Sequence, residues 1–175
     1  MTIMNLSDKQ DLLAILDEGR AAFLDALSSV DDEMSRRKPG PDRWSVLECV
    51  EHVAVAEEYM LSQLQKATPA EPVINVERES AIKKRAGGRT RRVEAPDAGK
   101  PTGRFRSIAE GVEYFLASRK RTIQFVQTAE DLRAIATAHP VIGPVNGYEM
   151  LLMMALHPKR HALQIIEIKD SVATR

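Results

Sequence analysis

Residues 147–169 read GYEMLLMMALHPKRHALQIIEIK, an apolar stretch with few charges that carries two histidines four apart, His157 and His161. Its period is helical and it is apolar over most of its circumference, which predicts the most buried helix of a helical core. The i, i+4 spacing sets the two imidazoles one above the other, with Cβ atoms about 5–6 Å apart, close enough to share one metal ion. The same stripe holds Met150, Met153, Met154, Gln164 and Ile168, so both histidines face inward, where an imidazole needs partners for its nitrogens. Two core histidines satisfied by hydrogen bonds are the competing reading. Pro158 removes one backbone bond from this helix, but it points away from the histidine stripe.

Upstream, three more stretches have helical apolar periodicity. Helix 1, about 8–30, aligns Leu12, Leu16, Phe23, Leu27 and Val30; helix 2, about 45–66, aligns Val46, Val50, Val53, Met60 and Leu64; helix 3, about 107–128, aligns Ile108, Val112, Phe115, Ile123 and Val126. Ser7 with Gln10, Ser45 with Glu48, and Ser107 with Glu110 fit the capping box, and Asn146 with Glu149 offers a related start to helix 4. Glu57 interrupts the stripe of helix 2, and nothing in the sequence accounts for it. Together these stretches predict an all-α four-helix bundle forming a single domain over 1–175.

The connections shape that bundle. Pro39-Gly40-Pro41 breaks the chain between helices 1 and 2. About 40 residues rich in Pro and Gly separate helices 2 and 3, long enough to run the bundle's full length, so those two helices need not be antiparallel. This crossover includes a basic excursion at about 70–105: Glu77 to Arg106 holds ten Lys/Arg against four Asp/Glu. A nucleic-acid-binding arm is one reading. The reading preferred is a solvated excursion packed on acidic helix faces, because the whole chain is neutral, with 25 residues of each sign, and Phe105 is the stretch's one aromatic.

Composition excludes other classes. The single cysteine, Cys49, rules out an internal disulfide framework and suits a reducing cytosol. The start MTIMNLSDKQ lacks the pattern of a signal peptide, and the longest apolar run, Met150 to Leu156, is too short to span a bilayer. A cytoplasmic protein with no membrane partner is expected.

A third histidine comes from helix 2. His52 lies on the flank of its apolar face, with Ser45, Glu48, Cys49, Ala56 and Tyr59. A lone histidine there is more often structural, but one facing the His157–His161 pair would complete a three-imidazole site with an open position, the arrangement of catalytic metals. His139, before Pro140, reads as a structural or surface residue. Cys49 could add a fourth ligand, though a buried single cysteine is usually inert packing.

The segment Trp44-Ser45-Val46-Leu47-Glu48-Cys49-Val50-Glu51-His52 resembles the start of helix 2 in the DinB-like (YfiT-like) metalloprotein superfamily. His157-Pro158-Lys159-Arg160-His161-Ala162-Leu163-Gln164-Ile165 resembles its closing motif, and the stretches Ala95-Pro96 through Gly103 and His139-Pro140 through Gly143 are also similar to members. The resemblance implies an up-down-down-up bundle, commonly dimeric, with His52, His157 and His161 as ligands of zinc, nickel or a similar ion. Pro158 departs from the family pattern. Some relatives are thiol transferases or isomerases that use a low-molecular-weight thiol, which implies a metal-bound thiolate and a small-molecule substrate. The sequence leaves two alternatives open, a metal-dependent hydrolase and a non-enzymatic metal-binding or dimerisation module, and identifies no catalytic residue beyond the metal ligands. Glu48 and Gln164 are candidates to support the ligands, and Arg160 or Tyr59 to orient an anionic substrate.

Overall fold

The computed structural model describes residues 6–91 and 93–173. Four long helices correspond to the four predicted: α1, Leu6–Leu27; α3, Val46–Gln65; α5, Ile108–Thr128; and α6, Gly147–Ala173. Two short helices lie between them, α2 at Asp32–Arg36 and α4 at Val76–Arg85.

The caps follow the sequence in most cases. Ser45 and Glu48 form a complete capping box on α3. At α6, Asn146 and Glu149 exchange the same two bonds, Asn146 N–H to Glu149 at 3.1 Å and Glu149 N–H to Asn146 at 2.9 Å. Ser107 accepts from Glu110 N–H, but the Glu110 carboxylate accepts from Arg106 N–H instead of closing the box. Ser7 lies inside α1 and not at its cap.

One feature departs from the all-α expectation. Thr68–Pro69 (β1), Ile135–His139 (β2) and Gly143–Asn146 (β3) form an antiparallel sheet in the order β1-β2-β3, with Thr68 opposite Ala136 and His139 opposite Gly143. The sheet ties the start of the crossover to the connection between α5 and α6. Strands of two to five residues that include Pro and Gly carry no alternating pattern, so periodicity could not reveal them. His139 closes β2 as a structural residue: its Nδ1 accepts from Val141 N–H at 3.1 Å.

α1 packs mainly on α6, and α3 packs on both α5 and α6. Two apolar clusters fill the bundle, one including Leu16, Met60, Val126 and Met154, the other Phe23, Val53, Phe115 and Ile165. Along α3, Glu57 falls between Val53 of one cluster and Met60 of the other, and the structure supplies the account that the sequence lacked. The fully buried Arg119 of α5 grips Glu57 with Nε at 2.8 Å and Nη2 at 3.0 Å, and Thr122 Oγ1 donates to the same carboxylate at 2.8 Å. Arg119 also donates to Leu16 O of α1 at 2.7 Å and to Met154 O of α6 at 3.2 Å. One guanidinium thus touches all four long helices, and the bidentate geometry with further donors is what makes a buried ion pair tolerable.

The crossover packs on the bundle. Ile82 of α4 is buried in the first cluster, Arg133 binds Glu79 of α4 and Asp8 of α1 at 2.8 Å each, and Arg89 binds Glu167 at 2.9 Å. Of the crossover's basic residues, Arg89 thus pairs with Glu167 and Arg78 with Glu149, both acidic positions of α6.

Candidate metal centre

His52 sits on α3, seven residues after the Ser45 cap, and His157 and His161 face it from α6. Their Nε2 atoms converge: His157 Nε2 is 3.1 Å from that of His52 and 3.1 Å from that of His161. This brings together the three histidines singled out in the sequence, two by spacing and one by its helix face, and among the described residues they are the group whose donor atoms could hold one metal ion. Pro158 does not separate the pair, because α6 continues unbroken to Ala173.

The ring chemistry bears on the choice between a metal site and a hydrogen-bonded core. His52 Nδ1 lies 2.5 Å from Gly99 O, and a carbonyl can only accept, so His52 carries its proton on Nδ1 and presents a lone pair at Nε2. Neutral His157 has either a lone pair or a hydrogen at Nε2. It can satisfy one of its two neighbours, His52 or His161, but not both. Three lone pairs directed at one cation would resolve the conflict. The spacing also fits, since nitrogens 2.0–2.1 Å from a tetrahedral zinc stand about 3.3 Å apart.

Burial holds all three rings in the form that binds metal. It lowers the His52 pKa, partly offset by the Gly99 bond, and lowers that of His157 and His161 well below 6.5, helped by repulsion among the rings. Arg160 and Arg89 add positive charge near His161. His161 Nδ1 is buried without a hydrogen-bond partner. Gln164 lies near enough to favour the protonated ring, but its Oε1 is taken by Arg89 Nη1 at 3.0 Å. Trp44 covers the group from one side, 4.9 Å from the His52 ring and stacked on His161 at 6.4 Å.

The other residues raised by sequence fall elsewhere. Glu48 is committed to its cap and to Lys38 at 2.7 Å. Arg160 holds the crossover through the carbonyls of Gly88 and Arg91. Tyr59 is exposed on α3. Cys49 is fully buried, outside the histidine group, with its thiol pKa pushed far up by burial, as suits inert packing. Sequence reasoning passed over Gly99 and Glu51. Gly99 acts through its carbonyl, which no residue type betrays. Glu51, whose buried carboxylate accepts from the amides of Thr102, Gly103 and Arg104 just beyond Gly99, is a charge beside His52 on a mostly apolar helix face, a signal available to be read.

Known proteins are similar to this chain in sequence or fold. The uncharacterized protein YuaE of Bacillus subtilis (strain 168) is 22% identical over 161 residues, 91% of this chain and 98% of that one. The structure of YfiT from Bacillus subtilis, described as "a probable metal-dependent hydrolase with an unusual four-helix bundle topology", superposes with a TM-score of 0.60 at 16% identity, covering 99% of this chain and 92% of YfiT. At that identity the likeness bears on fold alone. The DinB superfamily model matches residues 15–165. With most of its length matched, the chain belongs to the DinB superfamily.

Proposed function

We propose that His52, His157 and His161 bind one divalent metal ion through Nε2, and that the protein is a metal-dependent enzyme for a small-molecule substrate, of the thiol-transferase or isomerase type. The observation that carries the reading is the convergence of three neutral imidazoles in which His157 cannot satisfy both neighbours by hydrogen bonding. Bound there, an ion such as zinc or nickel would have a fourth position to offer and would supply Lewis acidity, lowering the pKa of a thiol or a water brought to it. The chain's part is to fix three nitrogens, keep them unprotonated and cover one side of the group with Trp44. A low-molecular-weight thiol is the cosubstrate of this reading.

Hydrolysis is the second reading, favoured by the likeness to YfiT and its description. Both are tested together. Protein purified without added metal should contain about one ion per chain, lost in the His157→Ala, His161→Ala double variant. Thiol-conjugation and ester-hydrolysis assays then separate the reactions. Wild-type protein that binds no transition metal at saturation would falsify the proposal, and a loaded protein inactive in both assays would favour a non-enzymatic module.

The same reading takes the chain as one domain with up-down-down-up helices. Its support is pairwise. Lys9, early in α1, bonds Ala129 just after α5, whereas Ala26, late in α1, bonds Lys169 late in α6. Val50 lies against Gly111 and Glu58 against Ser118, so α3 and α5 advance together. We further propose a cytoplasmic homodimer that does not bind nucleic acid. The buried free thiol suits a reducing compartment, no helix among the described residues is long and apolar enough to cross a membrane, and the ion pairs of the crossover reduce its free positive charge. Sedimentation at micromolar concentration tests the dimer. Sub-micromolar, salt-sensitive affinity for DNA or RNA at physiological ionic strength would overturn the last point.

A further inference from the structure

Glu51 precedes His52 on α3 and is buried. Its carboxylate is given to one segment of the crossover. Oε1 accepts from Thr102 N–H at 2.6 Å and from Thr102 Oγ1 at 3.1 Å, and Oε2 accepts from Gly103 N–H at 3.1 Å and Arg104 N–H at 3.0 Å. Gly103 has φ +82°, a conformation that glycine adopts without strain and that lets the chain curl its amides around the anion. Three residues before Thr102, Gly99 ends a 3-10 turn, Asp97–Gly99, and its carbonyl binds His52. Adjacent residues of α3 therefore grip the same short segment at two points.

We infer that Glu51 is a positioning residue for the metal centre, fixing the crossover so that Gly99 O holds His52 with Nε2 aimed at His157 and His161. The inference rests on the reading of those three histidines as ligands. An imidazole on a helix can rotate about its outer torsion, and only a partner for its second nitrogen selects one orientation and one tautomer. Here that partner is a backbone carbonyl in a connection of about 40 residues, and a long connection does not by itself hold a carbonyl in place. The buried Phe105 anchors the far end of the segment, but it lies six residues beyond Gly99. Glu51 closes the intervening chain onto the helix that carries His52. Holding so buried a carboxylate with three backbone amides and the Thr102 hydroxyl, all from this segment, commits the segment to one conformation, because moving it would strand the charge.

The test uses the full chain, loaded with zinc or cobalt(II), as wild type, Glu51→Gln and Thr102→Val. Zinc affinity is read by competition with a chromophoric chelator, the cobalt ligand field by visible absorption, and the segment by amide exchange over 99–104. Glu51→Gln keeps the shape but turns an amide group toward backbone N–H donors. It should lower zinc affinity about 10- to 100-fold, as loss of a ligand's supporting partner typically does, and change the position or intensity of the cobalt bands while helical circular dichroism is retained. Thr102→Val removes one donor only and serves if the first variant does not fold; it should weaken zinc binding about two- to five-fold, in the same direction. Faster exchange over 99–104 with unaltered cobalt bands and zinc affinity would show a purely structural clamp and overturn the inference. Wild-type protein that takes up neither metal overturns the ligand reading and this inference with it, whereas a normal wild type matched by both variants overturns this inference alone.

Discussion

Arg119 repairs a defect that Pro158 creates. Pro158 has no N–H to offer the carbonyl of Met154, four residues earlier in α6, and Arg119 Nη2 of α5 donates to that carbonyl at 3.2 Å. A helix short of one backbone bond beside two candidate ligands is thus held from a neighbouring helix by a side chain that also neutralises Glu57.

Breaking that hub should be costly. Arg119→Met leaves Glu57 as an unpaired charge in the core and the Met154 carbonyl without a donor, and Glu57→Gln leaves the guanidinium unneutralised. Each should lower stability by about 3–5 kcal/mol, the usual penalty for breaking a buried pair. The double variant Glu57→Leu, Arg119→Met should recover part of the loss. Urea denaturation monitored by circular dichroism provides the values, and single variants within about 1 kcal/mol of wild type would contradict this account.

Gly19→Ala should destabilise, against propensity. In an open helix the change gains about 1 kcal/mol. Here a Cβ would overlap the Ala155 carbonyl oxygen of α6, so α1 and α6 must move apart in their most extensive contact. A net loss of about 1–3 kcal/mol is expected, read from the same denaturation curves, and an increase in stability would show that the helices are not in close approach at this point.

Acid should destabilise the metal-free protein in the range where histidines titrate. Burial lowers the His139 pKa to about 4, from 6.5. Between these values the unfolded chain binds a proton that the folded chain refuses, so stability is full above pH 6.5, falls as pH drops toward 4, and this contribution levels off below. The three histidines of the candidate metal centre shift in the same direction. Urea midpoints at pH 7.5, 6 and 5 should decline in that order, and His139→Gln should flatten the decline. A midpoint that rises on acidification is the opposite of what burial dictates.

Removing metal should leave the fold standing. The two apolar clusters and the Glu57–Arg119 hub are built without the histidines, unlike small domains whose ion carries the fold. After chelation at neutral pH the helical circular dichroism should persist and the thermal transition remain cooperative, lowered by the binding energy alone, about 2.7 kcal/mol where free metal had been 100 times its Kd. Loss of helix on chelation would make the ion structural and remove the grounds for an enzyme.

The long helices, their caps and the inward direction of His157 and His161 were decided locally, by periodicity of about 3.6 residues and by side chains that satisfy the first turn's amides, and such short-range patterns are legible in the chain itself. The order of motifs was enough to place it in its superfamily. What lies between helices was not legible in that way. That Glu57 meets Arg119, that Arg119 also serves the carbonyl freed by Pro158, that Gly99 orients His52 through its backbone, and that β1 joins β2 from more than sixty residues away all depend on contacts between distant segments. Their partners are backbone atoms every residue possesses, or charges that look out of place until the opposing helix is present. Convergence of the three Nε2 atoms belongs to the same class: spacing could align two rings on one helix, but only the packing of α3 against α6, with the crossover drawn over His52, set the third beside them.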